Sequence, residues 1–114
     1  MITLYGIPNC DTVKKARAWL SAQGVAYEFH DFKKQGLAPE TLARWSDALG
    51  WEKLLNRKGT TWRKLAAATQ AAVVDAASAQ ALMLTQTSLI KRPVVDWGPA
   101  ITAEFDAAAW SAKL

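Results

Sequence analysis

Apolar residues alternate with small or polar ones from Ile2 to Ile7, and the stretch is rich in strand formers. This predicts a core strand over residues 2–7, ended by the turn signal Pro8-Asn9. The period then changes. Val13, Ala16 and Leu20 recur at i, i+3 and i+7, Trp19 broadens that face, and Gly24 offers a stop. A helix over 11–23 follows. Residues 25–29 read as a second strand closed by His30, a histidine that suits a structural place at a strand end better than a general base. One helical crossover between two strands makes a β-α-β unit, so the strands should be parallel and the connection right-handed.

After a charged connector over 31–36, Pro39 sits where a helix starts, and Leu42, Trp45 and Leu49 keep helical spacing up to Gly50. Shorter helical pieces are expected over 51–55 and, beyond the loop Asn56-Arg57-Lys58-Gly59-Thr60, over 61–68. A further helix over 75–84 has Ala76, Ala79, Leu82 and Met83 as its apolar stripe, and the tryptophans and alanines of this region read as packing. The strand pattern returns over 88–97. Pro93 lacks a ladder donor and so belongs at an edge or at a strand's first residue. Gly98-Pro99 reads as a hairpin turn, 101–105 as its return strand and 106–113 as a closing helix. The order is β-α-β, a helical insert over about 37–86, then β-β-α. That is an α/β chain with the thioredoxin-like arrangement of a mixed four-stranded sheet, expected to form one domain over 1–114.

Composition alters this picture little. With 51% hydrophobic and 21% charged residues, the chain is of ordinary globular type. No window reaches the roughly 18 apolar residues of a membrane span. The opening residues lack the basic start and long apolar run of a secretory signal, and a single cysteine cannot form an internal disulfide. A reducing, cytoplasmic setting is expected. The net charge of +4 favours anionic ligands, but lysines and arginines are spread from Lys14 to Arg92 without a dense run. Nucleic-acid binding is therefore not expected. Neither a metal site nor a bound cofactor is indicated, and no coiled-coil repeat asks for a partner, so a monomer is expected.

The candidate chemistry is that of Cys10, which falls where the first strand ends and the first helix begins. Backbone N–H groups at a helix N-terminus have no intrahelical partners, and with the helix dipole they favour an adjacent anion. Lys14, Lys15 and Arg17 add positive charge, while Asp11 opposes it. A lowered thiol pKa follows. Position alone nevertheless leaves two readings open, a reactive thiolate and an inert, packed small hydrophobe.

Three separated motifs carry a resemblance: Gly6-Ile7-Pro8-Asn9-Cys10-Asp11-Thr12-Val13-Lys14-Lys15-Ala16, Gly59-Thr60-Thr61-Trp62-Arg63-Lys64-Leu65 and Ile90-Lys91-Arg92-Pro93-Val94. Together, and in this order, they resemble the arsenate reductase (ArsC) family, most closely its YffB branch, with the Spx and MgsR regulators as relatives. The resemblance implies that Cys10 is the nucleophile and that Pro93 is the proline held in cis beside the active site, helping to orient a peptide-like ligand. It implies that Arg63 and Arg92 bind the anionic part of a substrate, which suits a guanidinium fork. On this enzymatic reading Lys14 favours the thiolate and Thr12 donates a hydrogen bond to the sulfur or the substrate. The same reading makes glutathione or glutaredoxin the expected thiol partner, acting on a small anionic or thiol substrate. The chain also departs from the family pattern. Lys14 stands where the reductases carry an arginine, and after Arg92 the only cation is Lys113. Arsenate reduction is thus expected to be weak or absent. Val13 occupies the position of the second cysteine of the Spx switch. An internal disulfide switch is therefore excluded. The remaining function class is a binding or regulatory protein that docks on a larger assembly.

Overall fold

β1 (Ile2–Gly6) is the strand on which the first part of the chain is built. In the computed structural model, which describes residues 2–114, β1 pairs in parallel with β2 (Tyr27–Asp31) and antiparallel with β3 (Val94–Asp96). β4 (Ile101–Ala103) adds to β3, giving the order β2-β1-β3-β4. This mixed four-stranded sheet is the thioredoxin-like α/β arrangement expected from the element order. Helix α1 (Asp11–Ala22) makes the parallel crossover and buries Val13, Ala16 and Leu20, the three positions selected by spacing. These pack with Leu4, Val95 and Trp110.

The chain divides into two units, residues 2–36 with Arg92–Leu114, and Leu37–Lys91. The second unit contains α2 (Pro39–Leu49), α3 (Trp51–Leu54), α4 (Thr60–Arg63), α5 (Ala67–Ala71) and α6 (Ala76–Thr85), followed by a 3-10 turn over Thr87–Leu89. Asp75 caps α6 through a reciprocal pairing with Ser78, so the first turn lacks no acceptor. The insert ends later than the expected 86. The reason is an antiparallel bridge between Leu55 and Ile90, flanked by bonds from the Asn56 amide to the Leu89 carbonyl at 2.7 Å and from the Lys91 amide to the Leu54 carbonyl at 3.0 Å.

Four further departures from expectation each have a local reason. The second strand starts at Tyr27, not Val25, because the Val25 amide closes α1 by bonding the Leu20 carbonyl at 3.0 Å. Gly24, at φ 70, provides the left-handed residue that this closure needs. The helix expected over 61–68 is broken into α4 and α5. Its Trp62 carbonyl accepts the Leu65 amide at 3.0 Å and the Gln70 side-chain amide at 2.8 Å, leaving the chain free to turn. Of the strand expected over 88–97, only Val94–Asp96 is ladder, since Thr87–Leu89 coils and the Arg92–Pro93 bond is cis. The return strand ends at Ala103 because Glu104 turns to φ 67 and donates its amide to the Pro93 carbonyl at 2.9 Å.

Helix α7 (Ala107–Ser111), capped by the Asp106 carboxylate, brings Trp110 into the sheet core at 1% exposure. Its indole makes edge-to-face contacts with Phe105, Trp97 and Trp19 at 4.8, 5.1 and 5.9 Å. Such pairs add to the area term. Trp110→Ala is expected to cost about 3–5 kcal/mol, read as a lower denaturation midpoint. Among the described residues, no helix is long and apolar enough to cross a membrane.

Candidate functional site

Cys10 is the N-cap residue of α1, with an extended backbone at φ −141 and ψ 122. Its carbonyl accepts the Lys14 amide at 2.9 Å, closing the first turn. The half-buried thiol forms no short capping hydrogen bond at the helix start, sulfur being a weak acceptor. A thiolate is a much better acceptor. Burial pushes the thiol pKa up, but the Val13 amide, the hydrogen bond and charge of Arg92, and the Thr12 amide together outweigh it. The net result is a pKa below the ordinary 9.0. This matches the N-terminal argument, with one change in the actors. The cation acting on the sulfur is Arg92, and from Thr12 it is the backbone amide that contributes.

Arg92 and Pro93 stand immediately before β3, and Pro93 is buried behind the cis Arg92–Pro93 bond. The sheet explains why residues so far apart in sequence meet. β3 lies next to β1 with Val94 opposite Tyr5, so the residue before β3 arrives beside the loop that leaves β1. Cys10 and Arg92 are thus brought together, with the exposed Thr12 and Lys14 on the first turn of α1. Arg63 belongs to the second unit, where it is exposed at the end of α4.

Gly6 governs how closely α1 approaches the strand. A Cβ there would lie 2.8 Å from Val13 Cγ2 and 3.3 Å from Val13 Cγ1. Val13 is β-branched and fully buried, so it has little room to yield. Gly6→Ala should destabilise by about 1–3 kcal/mol, measured by denaturant unfolding. It should also slow Cys10 alkylation, because the helix N-terminus is pushed away from β1.

The connector after β2, to which the sequence assigned no role, contributes a second feature. Asp31 and Lys33 join Ile7, Pro8 and Asn9 around an open depression of about 420 Å3. Asp31 Oδ1 accepts the Lys33 and Lys34 amides at 3.0 and 3.2 Å, which holds the connector in a turn. His30 lies within β2, and its Nε2 donates to the Gly36 carbonyl at 2.8 Å. With a carbonyl as partner the ring nitrogen must be the donor, which fits a structural histidine.

In fold and in sequence the chain is similar to several known proteins. The YffB (PA3664) protein superposes with a TM-score of 0.95 at 49% identity, covering 100% of this chain and 99% of its own. An arsenate reductase (ArsC) related protein from Brucella melitensis has a TM-score of 0.78 at 51% identity, covering 97% of this chain and 92% of its own. The global transcriptional regulator Spx of Streptococcus agalactiae is 32% identical over 83% of this chain and 69% of its own length. The ArsC family profile matches residues 5–112. The chain therefore belongs to the ArsC family.

Proposed function

We propose that this protein is a thiol-dependent reductase whose nucleophile is the Cys10 thiolate. The observation that carries the reading is the lone thiol at the N-cap of α1, with Arg92 and two backbone amides lowering its pKa. A depressed pKa increases the attacking fraction at neutral pH, and a thiolate, not a thiol, is the nucleophile. Membership of the ArsC family supports the same class of chemistry.

With a disulfide substrate, Cys10 sulfur attacks one substrate sulfur, the S–S bond breaks, and the second sulfur leaves as a thiolate that takes up a proton. A mixed disulfide remains on Cys10. The chain holds no other cysteine, so an external thiol must attack that intermediate, releasing the Cys10 thiolate and leaving with the substrate sulfur as a disulfide. The two electrons come from the external thiol and the attacked bond is reduced. Glutathione, free or supplied through glutaredoxin, fits this role. Its carboxylates suit the Arg92 guanidinium, and on this reading the backbone at Pro93 orients the peptide-like ligand. Thr12 and Lys14, exposed on the first helical turn, are assigned to substrate binding on this reading, and Arg63 is assigned to it by its motif alone. The protein acts as a monomer in a reducing compartment, the cytoplasm.

Calorimetry with glutathione tests the reading. Saturable binding that weakens in Arg92→Ala is expected; absence of binding, or indifference to that substitution, overturns the glutathione assignment. Arsenate turnover coupled to glutaredoxin should be weak, since only Lys113 remains as a cation after Arg92.

A regulatory reading is supported by the likeness to the Streptococcus agalactiae Spx protein. In that case the redox signal would be a mixed disulfide on Cys10, because Val13 precludes an internal bond.

A further inference from the structure

The excess positive charge of the chain is concentrated in one stretch. Residues 51–64 contain Lys53, Arg57, Lys58, Arg63 and Lys64 against the single acid Glu52, a net +4. The whole chain is also +4, so the remainder, with nine cations and nine acids, is balanced. Counting cations alone conceals this, because the other cations are spread among acids. All five cations of the stretch are exposed.

The stretch is folded back on itself and firmly held. The Arg57 guanidinium lies 5.2 Å from the ring centre of Trp51 and 5.7 Å from that of Trp62. Asn56 Oδ1 accepts the Lys58 amide at 3.1 Å, while the Leu55–Ile90 bridge and the Gln70 bond to the Trp62 carbonyl at 2.8 Å anchor both ends within the second unit.

We propose that this surface is a docking site for a carboxylate-rich segment of a partner protein. An arginine packed against two indoles has already given up much of its rotamer freedom, so its fork meets a carboxylate with less ordering cost than a free side chain. The surrounding lysines supply the field that steers an acidic chain and holds its register. Single-stranded nucleic acid would need open aromatic faces for its bases. Here both indoles are half-buried and face Arg57, which favours the acidic peptide.

The test is fluorescence anisotropy with a fluorescein-labelled dodecapeptide alternating glutamate and serine. Saturable, salt-sensitive binding is expected. Arg57→Glu with Lys58→Glu should weaken it by about tenfold or more. Lys58→Glu with Lys64→Glu, which leaves the Arg57 stacking intact, should do the same if the first pair fails to fold. Lys34→Glu with Lys113→Glu makes the same change in net charge in the first unit and should leave binding nearly unchanged. Cys10→Ser should also bind normally, so failure here and failure of the reductase reading are separable. No saturable binding, equal weakening by the Lys34 and Lys113 pair, or tighter binding of length-matched oligothymidylate would each overturn the proposal.

Discussion

Replacing Cys10 with serine is expected to abolish reductase turnover, with a fall of about a thousandfold or more, while the fold survives. A hydroxyl in the same place is not ionised at neutral pH and is a far weaker nucleophile toward sulfur, and no other thiol in the chain can substitute. The stability cost should be small, about 1 kcal/mol or less, because the side chains are close in size and the site is half-buried. The measurement has two parts. Steady-state reduction of a glutathione mixed disulfide reads the activity, and mass spectrometry reads whether one glutathionyl group is trapped on the wild type and absent from the variant. Full activity in Cys10→Ser would remove the thiol mechanism altogether.

The same pair of proteins yields a pH dependence with a defined sign. In the native state Cys10 loses its proton below the ordinary 9.0 of an unfolded chain. Between those two values the unfolded state binds more protons than the native one, so wild-type stability rises with pH relative to Cys10→Ser. The gain is complete above about 9.0 and vanishes as pH falls through the native pKa. A difference of the opposite sign would mean that burial outweighs the amides and Arg92.

How far the sequence reveals these features depends on the range of the interactions that produce them. Helix α1 was legible because everything that makes it is local: the Val13, Ala16 and Leu20 face, and Gly24 at its end. The start of β2 was less so. Val25 has the composition of a strand residue, but its amide is taken by the Leu20 carbonyl, and no pattern of side chains announces a backbone bond. Ser88-Leu89-Ile90 also looks like strand, yet the partner of Ile90 is Leu55 in the helical insert, so it forms a lone bridge and not a ladder. The break after Arg63 depends on Gln70 reaching the Trp62 carbonyl, a contact that helical periodicity cannot signal.

The candidate site divides along the same line. The placement of Cys10 at a helix N-terminus could be read from the switch between strand and helix periods. The source of its nearby charge could not. Lys14 and Lys15 are adjacent in sequence and exposed, whereas Arg92 reaches the sulfur only because β3 returns beside β1. The motif Ile90-Lys91-Arg92-Pro93-Val94 pointed to the residue, and sheet topology gives the physical reason.

Arg92→Ala is accordingly expected to move the Cys10 pKa up, toward or beyond 9.0, since both a hydrogen bond and a Coulombic attraction to the thiolate are lost while the burial that raises it remains. At a pH below both values, each unit of that movement removes about tenfold of the thiolate. Alkylation with iodoacetamide across pH measures it directly, through the midpoint of the rate profile. Iodoacetamide is uncharged, so the rate reports the sulfur and not anion binding. Turnover with an anionic substrate should fall further, by about another 10- to 100-fold, because one charge-assisted fork is lost from the site. Arg92→Lys separates the two effects: it restores charge near the sulfur but not the planar fork, so the alkylation profile should recover more than turnover does. Lys14→Ala provides the contrast, with a midpoint close to wild type. If Lys14→Ala moves the midpoint as far as Arg92→Ala, the thiolate is stabilised by the general field of the first helical turn, and the role given to Arg92 is wrong.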